Sequence, residues 1–170
     1  MPHQICIRNA EADDVKAMHA MLLPYSEQKI VLPRTEDSLF QHLQEFLVAE
    51  YDGKVVGLVA LHVYQASLAE VRSLVVCDSH QGMGVGKLLV EGCEKVAAGL
   101  GIQRLFALTY VDGFFGHMGY SVVQKESLPH KIWTACIHCE KFSSCDEIAV
   151  EKRLSFESVE SEPIIEVEKR

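Results

Sequence analysis

The segment Gln81-Gly82-Met83-Gly84-Val85-Gly86-Lys87-Leu88-Leu89 places glycine at alternate positions between a strand-like run and a long helical pattern. Glycine has no Cβ, so backbone N–H groups converge there, and the start of the following helix adds positive potential. A turn of this kind suits a pyrophosphate. The nucleoside-triphosphate loop needs a Gly five residues before the Gly-Lys pair and a Ser or Thr after it, and this chain has Gln81 and Leu88. The dinucleotide fingerprint needs Gly-x-Gly-x-x-Gly at the opening of a βαβ unit. Here the spacing is Gly82-x-Gly84-x-Gly86, in mid-chain. A glycine-rich helix start with no ligand is the other reading of these residues alone.

The elements around the turn follow from hydrophobic spacing and turn residues. Ile5 to Arg8 alternates as a strand. Asp13 and Asp14 cap a helix with Val15, Met18, Met21 and Leu22 on one face, and Pro24 is expected to end or kink it. Thr35 caps a second helix over Glu36 to Phe46. Leu47 to Tyr51 and Lys54 to Val63 form a hairpin about Asp52-Gly53, a type I′ turn signal. Glu70 to Val76 is a strand, and Gly84 to Leu100 is the longest helix, with Leu88, Leu89, Cys93 and Val96 facing inward. Arg104 to Thr109, Tyr120 to Gln124 and Ile148 to Leu154 read as strands, with a short helix at Phe114 to Met118 stopped by Gly119. The order implies an α/β fold: a mixed sheet with one central crossover helix.

The chain has 170 residues, of which 48% are hydrophobic and 24% charged, proportions of a globular domain. Residues 1–154 are expected to form one domain. Residues 155–170, with glutamates at 157, 160, 162, 166 and 168, read as an acidic tail in which Ile164 to Val167 is a candidate edge strand. The net charge of −8 argues against a nucleic-acid partner, since phosphate backbones are gripped by Lys and Arg. The N-terminus lacks a secretory signal pattern and no apolar run approaches the roughly 20 residues of a membrane span. No membrane partner and a cytosolic location with reduced thiols are therefore expected.

Gln81-x-x-Gly84-x-Gly86 resembles the (Arg/Gln)-x-x-Gly-x-(Gly/Ala) turn of the GNAT acetyltransferase superfamily, and Phe114-Phe115-Gly116-His117-Met118-Gly119-Tyr120 resembles its later Phe-Tyr-x-x-x-Gly-Phe segment. Val31-Leu32-Pro33-Arg34-Thr35, Ala69-Glu70-Val71-Arg72-Ser73-Leu74, Leu105-Phe106-Ala107-Leu108-Thr109 and Ser127-Leu128-Pro129 are similar to the acetyltransferase domain of N-acetylglutamate synthases. The likeness is strongest to short forms without a kinase-like domain and covers roughly residues 5 to 154. It implies the GNAT fold, a mixed, mostly antiparallel central sheet with splayed central strands flanked by helices. It also implies acetyl-CoA as cosubstrate. Gln81, Gly82, Met83, Gly84, Val85, Gly86 and Lys87 would then hold the pyrophosphate. Leu74, Val75 and Val76 would pair with the pantetheine and polarise the thioester carbonyl, and Phe115 would border the cofactor.

The same resemblance implies an acetyl acceptor that is a small amino acid, L-glutamate foremost, at the first step of arginine biosynthesis. An Arg at the place of Arg34 grips a carboxylate in that family, and a guanidinium fork is the right device; a surface Arg after a proline is the alternative. Synthases carry a second carboxylate-binding Arg after the Leu-Thr pair. This chain has Leu108-Thr109-Tyr110-Val111-Asp112 instead, so Arg72 is the candidate to replace it, against a cross-strand ion pair. Strand alternation puts Arg72 on one face with Glu70 and Leu74. Glu70 is the expected general base, its pKa raised by an apolar wall, with a surface ion pair as the alternative. Phe115 stands where the family often has a Tyr acid, so that role passes to Tyr110, to water or to no group.

Cys136-x-x-Cys139-x₅-Cys145 admits a zinc site with His130 or His138, or a β-hairpin arm with semi-buried thiols; the second reading is preferred, and no metal is assigned. Two rivals to amino-acid acetylation stay open: a GNAT enzyme acting on another amine or a protein, and an acyl-CoA sensor without turnover. A homodimer is also left open.

Overall fold

The computed structural model describes residues 4–129 and 146–155. Within them the strands are β1 (Cys6–Asn9), β2 (Phe46–Tyr51), β3 (Lys54–Gln65), β4 (Leu68–Val76), β5 (Arg104–Thr109), β6 (Ser121–Val123) and β7 (Ile148–Arg153). The helices are α1 (Val15–Glu27), α2 (Glu36–Gln41), α3 (Val85–Gly99) and α4 (Asp112–His117). The strands join in one sheet in the order β1-β2-β3-β4-β5-β7-β6, antiparallel except where β4 meets β5. The mixed, mostly antiparallel sheet flanked by helices is the architecture expected from the sequence.

Local rules account for most of these elements. Asp52 and Gly53 both have positive φ, 51° and 75°, so β2 and β3 are joined by a type I′ turn. Thr35 caps α2, its hydroxyl oxygen accepting from the Ser38 N–H at 3.1 Å. Other boundaries differ from the expectation. Pro24 lies inside α1, which runs on to Glu27. A Pro late in a helix forfeits one N–H bond, and here the final turn closes through the Gln28 N–H onto the Pro24 carbonyl. The second helix stops at Gln41 instead of Phe46, because Phe46 is the buried first residue of β2. Val96 is exposed, and Val85, Leu89, Val90, Cys93 and Ala97 form the inner face of α3.

The core has two sides. On one, α3 packs against Leu47, Val59, Leu61, Ala69 and Val71. On the other, Val15, Met18 and Leu22 of α1 and Leu39 of α2 pack against Phe46, Val48, Leu58, Ala60 and Val75. Arg8 fastens the start of α1: its Nη1 and Nη2 donate to Asp14 at 2.7 and 2.9 Å, and its Nε donates to Glu50 at 2.8 Å.

β4 is irregular in two ways. Its pairing with β3 slips by one residue between Ala60↔Arg72 and Leu58↔Val75, so Ser73 and Leu74 together oppose Val59. Ser73 has φ 56°, and the pair forms a β-bulge. The bulge resets the alternation: Leu74 joins Ala69 and Val71 on the α3 side, while Val75 faces α1. Leu74 therefore does not share a face with Glu70 and Arg72, as strict alternation implied. Second, β4 pairs with β5 only at Leu68, Ala69 and Glu70. Beyond Glu70 the two strands part.

Gly57 on β3 allows α3 to sit close to the sheet. A Cβ there would lie 3.0 Å from both Leu89 Cδ1 and Val85 Cγ1 and 3.3 Å from the Val75 carbonyl oxygen. Gly57→Ala should overpack this contact and destabilise the fold by about 1–3 kcal/mol. Urea unfolding checks this, and an unchanged midpoint would show that α3 shifts freely.

Candidate functional site

Two constellations border the gap between β4 and β5. The first is the turn after β4. Gly82 and Gly84 take φ of 79° and 82°, Gly84 caps α3 in the left-handed conformation, and no atom lies within 4 Å of where either Cβ would stand. The turn is therefore open on its outer side. The Leu88 N–H makes an α-helical bond back to the Gly84 carbonyl at 3.1 Å, and the amides before it lack intrahelical acceptors. Gly86 has a different reason for being glycine: a Cβ there would be 3.4 Å from the Phe114 ring. Open amides at the positive end of a 15-residue helix, next to a strand edge that loses its partner, fit the pyrophosphate and pantetheine of coenzyme A.

Not every predicted residue of this half turns its side chain to the turn. The Gln81 amide donates to the Val76 carbonyl, the Asp78 carboxylate and the Tyr25 hydroxyl, each at 3.2 Å, and so ties the turn down. Lys87 is exposed and pairs loosely with Glu91 at 3.9 Å. Met83 is exposed, and Val85 is buried under the sheet. Phe115 is a core residue, edge-on to Phe114 and Tyr120, and it is Phe114 that lies against Gly86. The helical spacing that brings Phe114 to the turn sends its neighbour inward.

The second constellation lies on the α1–α2 side. Glu70 stands opposite His62 in the β3–β4 ladder, so the two share a face. Glu70 is only 7% exposed, and its Oε1 accepts from the Tyr64 hydroxyl at 3.2 Å. Arg72 lies 3.8 Å from Glu70 and 3.6 Å from Glu45. Glu45 in turn meets His62 Nδ1 at 2.8 Å. Arg34 arrives from the loop before α2 and rests its guanidinium 5.2 Å over the Phe46 ring. Burial pushes the Glu70 carboxyl above the usual carboxylate range, against the pull of Arg72 and Tyr64. Burial, with Arg72 beside it, lowers the Arg34 guanidinium.

Three buried polar atoms here have no hydrogen-bond partner: Arg34 Nε, Arg72 Nε and Glu45 Oε2. Leaving a buried donor unpaired costs about 1–3 kcal/mol, so such atoms point to a ligand. Sequence reading found Arg34, Glu70 and Arg72 but missed Glu45, His62 and Tyr64. The last two were available from the hairpin, since residues facing Glu70 across a ladder alternate along β3. Glu45 was hidden by the mistaken extent of the second helix. Tyr110 follows directly on β5 at the far side of the gap, where the Val111 N–H bonds the Thr109 hydroxyl at 2.9 Å and turns the chain into α4. Cys136, Cys139, Cys145, His130 and His138 lie outside the described residues. Among the described residues no group of His, Cys, Asp and Glu forms a metal cluster, and no helix is long and apolar enough to cross a membrane.

The sequence pattern of the acetyltransferase (GNAT) family matches residues 12–120. The chain belongs to this family. It is an acetyl-CoA-dependent N-acetyltransferase. An uncharacterised N-acetyltransferase of Chlorobaculum tepidum is 41% identical over 149 residues, 88% of this chain and 96% of the relative. An amino-acid acetyltransferase of Mycobacterium tuberculosis is 36% identical over 121 residues, 69% of each chain. The N-acetylglutamate synthase of Neisseria gonorrhoeae, solved with coenzyme A and N-acetyl-glutamate, superposes with a TM-score of 0.83 at 28% identity. The match covers 90% of this acetyltransferase and 36% of that chain.

Burying Glu70 has a consequence for stability. A carboxyl whose folded pKa is raised leaves stability intact below its unfolded pKa and removes it as pH climbs through the folded value. Glu70→Gln should therefore raise the melting temperature at pH 8 and leave it nearly unchanged below pH of about 4. Equal shifts at both pH values would show that the charge of Glu70 is fully compensated by Arg72.

Proposed function

We propose that this acetyltransferase acetylates the α-amino group of a small acidic amino acid, L-glutamate foremost, as in the first step of arginine biosynthesis. The observation that carries this reading is the pair of half-buried arginines, Arg34 and Arg72, each with a buried and unpartnered Nε, beside the buried carboxyl of Glu70. Two guanidinium forks suit the two carboxylates of a dicarboxylic amino acid. Arg72 stands in for the arginine that synthases carry after the Leu-Thr pair and this chain lacks. The amino-acid acetyltransferase relatives and the synthase structure support the same substrate class. In this reading the catalytic domain spans residues 1–154, followed by an acidic tail.

Acetyl-CoA supplies the activated acetyl group. The amides of the Gln81–Lys87 turn hold its pyrophosphate, and the unpaired edge of β4 around Leu74, Val75 and Val76 holds the pantetheine and polarises the thioester carbonyl. Glu70, with its raised pKa, takes the proton from the acceptor ammonium so that a neutral amine attacks. Tyr64 orients that carboxylate. Tyr110, which follows β5, is the candidate to return a proton to the departing thiolate, with water as the other source.

Thiol release from acetyl-CoA against the twenty free amino acids tests the substrate class: glutamate should turn over preferentially, and preference for a basic amino acid or a protein amine would overturn the reading. Arg34→Ala should raise the acceptor KM by about 10-fold or more with little change in that of acetyl-CoA, on the scale of a lost charge-assisted bond. Glu70→Gln should lower kcat about 10²–10⁴-fold. Because the base must be deprotonated, kcat/KM should rise with pH through the folded pKa of Glu70. Tyr64→Phe, which removes a bond favouring the carboxylate, should move that acidic limb to higher pH. A limb that stays in place would remove Tyr64 from the site.

A further inference from the structure

One residue contacts both halves of the site, through its side chain on one side and its backbone on the other. Tyr25 lies in the last turn of α1, where it packs, partly buried, against the core cluster that α1 and α2 form with the sheet. Its hydroxyl accepts from Gln81 Nε2 at 3.2 Å and lies 3.1 Å from the Asp78 carboxylate and 3.4 Å from the Val76 carbonyl. The phenol has a single proton, and the shorter contact assigns it to Asp78. Through this hydroxyl, α1 is fastened to the end of β4 and to the first residue of the glycine turn.

The backbone of the same residue holds the other half. The Tyr25 carbonyl accepts from the Ile30 N–H at 2.9 Å and from the Val31 N–H at 3.4 Å, and Lys29, just before Ile30, adopts φ 59°. This reversal launches the short loop that delivers Arg34 to the charged cluster. Lys29 in the left-handed region is a strained conformation for a side-chain-bearing residue and persists only where neighbouring bonds hold it. The Tyr25 carbonyl supplies two of those bonds.

We infer that Tyr25 is a positioning residue that couples the coenzyme A turn to the acceptor loop, so that cofactor binding at Gln81–Lys87 steadies residues 28–34 and sets Arg34 for the acceptor. The inference rests on the proposed placement of coenzyme A on the turn and of the acceptor at Arg34. Linkage makes the effect mutual: what the cofactor does for the acceptor site, the acceptor does for the cofactor site by the same factor.

Amide hydrogen exchange on the full chain, with and without coenzyme A, tests it without needing the acceptor. In the unsubstituted protein, coenzyme A should slow exchange both in the turn and in residues 28–34, the loop by about 5-fold or more on the usual scale of coupled sites. Tyr25→Phe keeps the ring and its packing but breaks the link. The turn should still be protected by coenzyme A, and residues 28–34 should no longer respond. Asp78→Ala, which removes the nearest acceptor of the hydroxyl and one acceptor of the Gln81 amide while leaving Tyr25 in place, should reduce the response of residues 28–34 and serves if Tyr25→Phe fails to fold. Undiminished protection of the loop in these variants would overturn the coupling, as would a loop that ignores coenzyme A in the unsubstituted protein while the turn responds. Protection of neither segment would overturn the coupling together with the cofactor placement, whereas a failure confined to the loop leaves the proposed function standing.

Discussion

Parallel pairing between β4 and β5 lasts for Leu68, Ala69 and Glu70 and then ends, and both halves of the site exist because of that parting. A fully paired β4 would have its edge amides spent on β5 and no opening between the strands. The bulge at Ser73 belongs to the same distortion, since a bulge bends a strand and increases its twist. It also divides the labour of the strand. Glu70 and Arg72, before the bulge, face the charged cluster. Leu74, after it, packs toward α3 and the glycine turn. One nine-residue strand thereby carries a buried carboxyl, a guanidinium and a backbone edge that β5 leaves unpaired.

The charged cluster is poorly compensated for a folded interior. Glu70 is buried with a raised pKa, Arg34 and Arg72 each keep an unpaired Nε, and the ion pairs of Arg72 are longer than hydrogen bonds. The interior around it compensates with complete packing: Phe46, Leu58, Ala60 and Val75 are all nearly inaccessible. Strain of this kind gathers at functional sites, where a ligand completes the bonds that the protein leaves unmade. The Glu94, Tyr120 and Lys152 network on the opposite side shows the contrast. There Lys152 and the Tyr120 hydroxyl both reach Glu94, at 2.9 and 3.1 Å, and Lys152 also donates to the Met118 carbonyl at 2.9 Å. That network joins α3 to β7 and the chain before β6, and has its bonds made internally.

The resemblance to amino-acid acetyltransferases and the geometry approach the function from different directions. Family membership rests on a match over residues 12–120 and carries the acetyl-CoA chemistry. The acceptor proposal rests on where two guanidinium groups converge, which the family pattern alone does not dictate, because this chain departs from the synthases after Thr109. In the proposed reading, the position of Arg72 on the face of Glu70 makes that departure a rearrangement of the same binding chemistry.

What the sequence by itself determined are features governed by neighbours along the chain. The type I′ turn at Asp52-Gly53, the Thr35 cap, the glycine turn before α3 and the alternation that aligns Glu70 with Arg72 are all local, and each was legible. So was the α/β order, because period and turn chemistry follow directly from residue types. The tertiary structure alone decided the features that need two distant segments. Phe46 left its helix for a strand because burial against α1 and α2 outweighed its helical spacing. Phe115 turned into the core while Phe114 took the turn. Leu74 changed sides at a bulge with no glycine to announce it. Glu45, His62 and Tyr64 joined Glu70 only once β3 and β4 were in register, and Tyr25 met Gln81 only once α1 lay against the end of β4. Spacing along a chain sets which face a side chain takes within its own element. Which groups share a site depends on how elements pack, and that is settled by the burial of surface contributed by segments far apart in sequence.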